Sequence, residues 1–407
     1  MVSKLTVRGF KSLEHVEVDL GQVNVFVGAN GSGKSNLLEA LGVLSACAEG
    51  KVTDQALLQR GVRPGVPRIY KTAFRAAPGH EGTPRHLSVR ASSEPDSVYE
   101  VTLNNPLGDP SPAWRFKHEL WREGPRKLVG RSPASIDAPH KEQGLAALRA
   151  VEQVAGSPAL QLLQALAGYV IYTPTTPVLR GISPEGQPRE PVGLSGGRLP
   201  TAVRELLRQR EPHNQAPAPA ATHARQVCSE ALRLVDWAHS YGTAAADSLP
   251  LSPSAASSPL VVKFVDRFMV ESRNVLSGYD ASEGALYVLF LAVLAAHSAT
   301  PHLYAVDNAD HGLNPRLARA LMKAFCDWSL SAPLPRQALL TTHNPAALDG
   351  LPLHDGRVRL FTVARTTDGR TDLRRIVVDD ALKDMADRGW TLSRLWVMGH
   401  LGGVPDV

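Results

Sequence analysis

Apolar positions follow two rhythms along this chain, and the place where they change is informative. Over residues 4–8 and 16–27 they alternate with polar ones, then close up into "QVNVFVG", a short β-branched run bounded by glycines. Alternation predicts half-buried strands, and the closed run predicts a strand buried on both faces. "SNLLEALGVLSA" follows with helical spacing, so the N-terminal stretch reads strand, strand, glycine loop, helix. Between about 60 and 135, "RIYKTAFRAAP", "RHLSVRASS", "SVYEVTLNN" and "AWRFKHELW" are strand-like and broken by prolines, which predicts an antiparallel meander.

Helical spacing dominates 141–168, with a break at Gly156 to Pro158, and "YVIYTP" at 169–174 is a further apolar strand. Helix returns over 198–240, interrupted by "EPHNQAPAPAAT", and the small-residue and proline stretch at 243–259 reads as a linker. The C-terminal part predicts a strand in "LVVKFVDRFMVES", a helix at 282–297, a strand at 302–306, a helix at 315–330 and a strand in "QALLTTHNP". The hairpin "VRLFTVARTTDGRTDLRRIVVDD" closes the pattern, with Asp368-Gly369 at its turn. Strands and helices thus alternate at both ends around a middle of another kind. That predicts an α/β fold: a mixed-sheet nucleotide-binding domain interrupted by a mainly helical insertion. The expected parts are 1–135, the insertion and linker at 136–258, and 259–407.

Composition changes this picture little. The most apolar run, Ala285 to Ala296, has 12 residues, too few to span a bilayer. The opening "MVSKLTVRGF" lacks the apolar core of a signal peptide. Cys47, Cys228 and Cys326 are widely spaced and fit no zinc pattern, so free thiols in a reducing cytoplasm are expected. A net charge of +5 on 407 residues permits nucleic acid as a partner without arguing for it.

The chemistry concentrates in a few places. "GANGSGKS", Gly28 to Ser35, matches G-x-x-x-x-G-K-[ST] with a strand before it and a helix after it. In that setting the backbone N–H groups of Asn30, Gly31, Ser32 and Gly33 turn toward phosphates, and the helix N-terminus adds partial positive charge. Lys34 reaches the terminal phosphates, the Ser35 hydroxyl is placed for Mg²⁺, and Asn36 completes the cradle. Far downstream, "LYAVDNADHGLNP" carries an apolar strand into Asp307, an acid presented at a sheet edge as a metal-holding carboxylate would be.

Taken in order, these pieces resemble the ABC-type ATPases of the RecF/SMC/OLD group, and more closely the stand-alone ATPases classed as AAA-15 or AAA-21. "LTVRGFKSLEHVEVDLGQVNVFVGANGSGKSNLLEAL" is similar to that family's N-terminus along its length. "YTPTTPVLRGI" and "VGLSGGRLPTAVREL" resemble its middle; "SEGALYVLFLAVLAA", "YAVDNADHGLNP", "LLTTHNPAALD" and "LSRLWVMGHLGGVP" resemble its later segments. Both ends match well and the middle sparsely. The resemblance implies ATP and Mg²⁺ as ligands and a homodimer that sandwiches nucleotide between two copies.

It also implies particular roles. "LSGG" at Leu194 to Gly197 spells the family signature, but Ser195 lies 112 positions before Asp307, whereas the signature should open a helix about 25 before it. Ser282 lies 25 before Asp307 and caps the long apolar helix, so Ser282 and Gly284 are the expected signature residues, with Ala281 where the family usually has leucine. Asp307 matches the metal-supporting acid. Active relatives carry Glu at the next position to polarise the attacking water; here it is Asn308, which holds a water but accepts no proton. Loss of a general base typically costs on the order of 10²–10⁴ in rate. Asp310 is a candidate substitute base. His343, at the end of "ALLTTH", matches the γ-phosphate sensor. Lys11 has two open readings, a residue near the nucleotide or a solvated surface lysine. The 62 residues after Pro345 are filled by the hairpin and last helices, leaving no room for the nuclease domain of OLD-type relatives.

The expected function is an ATP-binding, slowly hydrolysing, dimerising switch, the ATPase half of an anti-phage or toxin-like system with a separately encoded effector. Two alternatives stand beside it: a DNA-repair or chromosome-maintenance ATPase, and a scaffold that binds ATP without hydrolysing it.

Overall fold

A computed structural model of the chain describes residues 1–74, 86–132, 140–209, 218–251 and 258–403. The expected break at 211–217, the core of the expected linker at 252–257, and the last residues of the C-terminal motif lie outside the described residues.

The elements run in chain order as follows. Strands β1 (Val2–Phe10), β2 (Leu13–Asp19) and β3 (Val23–Gly28) lead into helix α1 (Lys34–Glu49), then the short helices α2 (Asp54–Leu58) and α3 (Pro67–Tyr70). The meander is β4 (Leu87–Ser93), β5 (Ser97–Asn104), β6 (Arg115–Glu123) and β7 (Arg126–Arg131). Next come α4 (Leu145–Arg149), α5 (Pro158–Ala167), β8 (Val170–Tyr172), α6 (Thr176–Leu179), α7 (Leu199–Gln209) and α8 (Pro219–Leu234). Strands β9 (Ala238–Ala245), β10 (Leu260–Asp266) and β11 (Val275–Ser277) precede α9 (Glu283–Ala296), β12 (Leu303–Val306), α10 (Pro315–Ser331) and β13 (Gln337–Thr342). The hairpin β14 (Val358–Arg365) and β15 (Thr371–Ile376) is followed by α11 (Asp380–Asp387) and α12 (Leu392–Val397).

Three sheets result: an antiparallel β2-β1-β4-β5-β6-β7, a small β11-β10-β9, and a central β15-β14-β3-β13-β12-β8 that is parallel except for β15. The closed apolar run of β3 is explained by its place in the middle of the central sheet, with all six residues buried. Its side chains alternate between two cores. Val23, Val25 and Val27 join the core under α7 to α10, while Phe26 joins the core formed with α1 and the antiparallel sheet. Helix α1 therefore lies between the two large sheets. Helix α9 is apolar all round because it is enclosed on all sides, with every residue from Ala285 to Ala296 buried.

Three expectations are corrected. The described part of "RIYKTAFRAAP", 68–74, is not a meander strand: Pro67–Tyr70 make a helical turn, and among these described residues only an isolated bridge at Lys71 to Phe10 is strand-like, while 75–78 lie outside the described residues. Proline at the first helical position, with its φ already set, explains the turn. Residues 243–245 belong to β9 rather than to a linker. The segment 136–258 also does not pack as a separate insertion: β8 is an edge strand of the central sheet, paired with β12, and β9 pairs with β10.

The α9 core should dominate stability. Leu286 is fully buried, and Leu286→Ala is expected to cost about 2–5 kcal/mol, read as a lowered urea midpoint with unchanged slope. A loss under about 1 kcal/mol would show that α9 is not enclosed as described.

Candidate nucleotide-binding site

The site forms where the strands of the central sheet end. β3 delivers Gly28 and, with α1, brackets the glycine loop; β12 delivers Asp307, and β13, lying between β3 and β12, delivers Thr341, Thr342 and His343. The loop has the backbone that its glycines allow, with Gly31 at φ 77° and Gly33, the residue before α1, at φ 112°.

Lys34 folds back so that its ammonium donates to Gly28 O at 2.7 Å and Ala29 O at 2.9 Å. Burial lowers its pKa to about 8, against the raising pull of Asp307 and Asp310. His343 Nδ1 lies 3.4 Å from Lys34 Nζ. Since an ammonium only donates, Nδ1 must carry the lone pair, which leaves the proton on Nε2. Burial, and then the Lys34 charge, hold the His343 pKa below the usual value, favouring this neutral form.

Ser35 donates to one Asp307 oxygen at 2.8 Å and Thr341 to the other at 2.5 Å. Thr341 Oγ1 also accepts the Asn308 N–H at 2.8 Å. The Asn308 backbone is left-handed, φ 57°, a conformation that Asn tolerates better than most residues. Its side-chain Oδ1 is enclosed and makes no hydrogen bond within the chain. Asp310 is committed elsewhere: its carboxylate accepts the backbone N–H of Asn344 at 2.6 Å and of His343 at 3.2 Å. It shapes the loop that carries His343.

A cavity of about 480 Å³ opens beside Ser35 and Asp307, lined also by Glu39, Arg63, Thr173 and Ser195. Glu39 is buried and accepts from Arg63 Nε at 2.5 Å and from Lys11. Lys11 is not the solvated surface lysine of its second reading. Its ammonium is largely buried, paired with Glu39 and 5.0 Å from the centre of the Tyr70 ring.

One chain therefore brings together Lys34, Ser35, Asp307, Asn308, Asp310 and His343. Asn36 stands beside them, its amide donating to Ser12 Oγ at 2.7 Å. Ser282 and Gly284 take no part in these contacts. Ser282 is exposed and caps α9, its Oγ accepting from Ala285 N at 3.4 Å and Trp237 Nε1 at 3.3 Å. A Cβ on Gly284 would come within 2.9 Å of Leu317, so glycine there lets α10 approach. The "LSGG" amides of Ser195 and Gly197 are taken by the Glu185 carboxylate at 3.1 and 2.9 Å, and Ser195 lines the cavity of its own chain. Sequence reasoning missed Thr341, Glu39 and Arg63. Thr341 had a signal, a hydroxyl two residues before the strand-end His343; the loop residue Arg63 had none.

The residues fit a magnesium nucleotide. Ser35 and Asp307 are hard oxygen donors next to a lysine held in reserve on carbonyls, and a Cβ at Gly31 would meet nothing within 4 Å, so the loop's open side is free for phosphate. Among the described residues no His/Cys/Asp/Glu cluster forms another metal site, and no helix is long and apolar enough to cross a membrane.

This fold and this loop define a P-loop nucleotide-binding domain of ABC type. Residues 1–58 match the family model "AAA ATPase domain", and residues 173–349 match "AAA domain, putative AbiEii toxin, Type IV TA system". The DNA replication and repair protein RecF of Clavibacter michiganensis subsp. michiganensis is 41% identical over 70 residues, 17% of this chain and 17% of that protein. RecF of Corynebacterium jeikeium is 37% identical over 92 residues, 22% of this chain and 20% of that protein. The chain thus matches about a fifth or less of these relatives' length. Over most of the chain the fold is similar to that of Smc heads. The SmcHead bound to the C-winged helix domain of ScpA covers 94% of this chain and 99% of its own, with TM-score 0.53 and 14% identity. The Smc head with an extended coiled coil bound to the C-terminal domain of ScpA, derived from Pyrococcus furiosus, covers 96% and 99%, with TM-score 0.50 and 12% identity. Together these matches support an ABC-type ATPase of the RecF/SMC group.

The lowered pKa of Lys34 carries a pH dependence. Below pH 8 the free protein presents an ammonium to phosphate, and above it a neutral amine, so ATP affinity should fall by about tenfold between pH 7 and pH 9. Calorimetric titration at the two pH values checks this; an affinity that stays flat contradicts the buried state of Lys34.

Proposed function

We propose that this protein binds MgATP, hydrolyses it slowly, and uses the bound nucleotide to join two copies head to tail. Lys34 and the amides from Asn30 to Gly33 hold the phosphates. Ser35 and Asp307 would hold Mg²⁺, which supplies charge neutralisation at the terminal phosphates. His343 donates from Nε2 toward the γ-phosphate. Ser282, exposed at the head of α9, meets the nucleotide of the partner copy, while Gly284 lets α10 support that helix end. ATP-driven closure in the cytoplasm is then the output that a partner reads.

One observation carries the slow turnover: the metal-side residues are assembled, yet the next position is an amide on a left-handed backbone. The Asn308 amide takes no proton from an attacking water, and its Oδ1 is enclosed. Asp310 gives little help as a base, because both carboxylate oxygens face backbone amides of the His343 loop. The family description "putative AbiEii toxin, Type IV TA system" supports a toxin-like or anti-phage setting with a separately encoded effector. The RecF likeness over 70 residues supports the second reading, an ATPase that acts on DNA. ATP-strengthened DNA binding that drops steeply with salt would select it.

The test is single-turnover hydrolysis by wild type, Asn308→Glu and Asp310→Ala. Slow but measurable wild-type turnover is expected. Asn308→Glu should raise it by about 10- to 100-fold, at a stability cost of about 1–2 kcal/mol from the left-handed backbone. Fast wild-type turnover abolished by Asp310→Ala would overturn the proposal, and no product over hours would select a non-hydrolysing scaffold.

A further inference from the structure

The phosphate cradle is braced from outside by the C-terminal hairpin, more than 300 residues away in sequence. Arg365, at the end of β14, donates from Nε to Gly31 O at 2.9 Å. Thr371, at the start of β15, approaches Ser32 O at 2.8 Å. These two carbonyls belong to the peptide units whose N–H groups are those of Ser32 and Gly33. A trans peptide is planar, with its C=O and N–H pointing in opposite directions. Holding Ser32 O on the hairpin side therefore turns the Gly33 N–H toward the face where phosphate sits, while the Ser32 N–H donates to Ala29 O at 3.2 Å and Arg365 fixes the Gly31 carbonyl of that turn.

The geometry is tight and directional. A Cβ on Gly33 would lie 2.2 Å from Thr371 Oγ1, and one on Gly28 would lie 2.1 Å from Val363 O on β14. These glycines serve the hairpin's close approach as well as the loop's conformation. The Thr371 and Ser12 hydroxyls are 2.7 Å apart, and Asn36 Nδ2 donates to Ser12 Oγ at 2.7 Å. Ser32 O only accepts, so the single Thr371 proton belongs to it, and the Ser12 hydroxyl completes the chain by donating to Thr371. Asn36 at the start of α1 thereby joins the same line.

We infer that Thr371 and Arg365 are positioning residues of the nucleotide site: from outside the loop, Thr371 sets the Gly33 amide for phosphate and Arg365 braces the Gly31–Ser32 peptide of the turn beside it. This rests on the nucleotide-binding reading above.

The experiment is calorimetric titration with MgATP and MgADP, alongside melting temperatures measured without nucleotide. Thr371→Val should weaken both nucleotides by about 5- to 10-fold and Arg365→Ala by about 2- to 4-fold, with Thr371→Ser restoring wild-type affinity. Melting temperatures without nucleotide should stay near wild type, which a purely structural role would not allow. If Thr371→Val does not fold, Arg365→Ala decides the matter. Wild-type affinity retained by Thr371→Val, or by Arg365→Ala where that variant decides, overturns this inference alone. Failure of the wild type itself to bind either nucleotide removes the underlying reading, and this inference with it.

Discussion

Both oxygens of the Asp307 carboxylate are engaged, one by Ser35 at the head of α1 and one by Thr341 near the end of β13. That pair of hydrogen bonds ties three elements of the central sheet at the edge where the glycine loop opens. Thr341 also takes the Asn308 N–H, so the acid and the residue after it are fixed by one hydroxyl. Such an arrangement is stable only where the neighbouring strands are rigid, and the two cores on either face of β3 provide that rigidity. Lys34, partly desolvated and parked on carbonyls, stores the positive charge that phosphate would claim.

Much of this was legible in the chain. The closed apolar run of β3, the glycine loop, the apolar helix behind Ser282 and the strand ending in Asp307 are local patterns, and each forms the element its spacing predicts. That Ser282 caps α9 was readable because a serine before an apolar helical run is a local pattern. What escaped was long-range. Lys11 had two open readings, near the nucleotide or solvated at the surface, and only the fold sets it between Glu39 and an aromatic ring. The role of β8 as an edge strand depends on pairing with β12, more than a hundred residues on. "RIYKTAFRAAP" has strand-like composition, and proline at its helical turn won over that preference.

The residue at 308 shows how a backbone constraint and a chemical one coincide. A left-handed conformation favours Asn over Glu, so the site loses a proton acceptor and gains an unstrained turn at the same position. The nearby carboxylates do not replace it. Asp310 holds the amides that aim His343, and Glu39 is locked between Lys11 and Arg63. Under the proposed function, the chemistry left in place would grip phosphate better than break it, which suits a switch whose closed state must last long enough to be read.

The central claim is that a triphosphate bridges two copies of this chain. The most direct measurement is the mass in solution, by sedimentation or light scattering, with and without MgATP. The account predicts a monomer alone, a dimer with MgATP, and a monomer under both conditions when Lys34 is changed to Ala or Ser282 to Arg. A mass that ignores MgATP, or a dimer that persists in both variants, would contradict it.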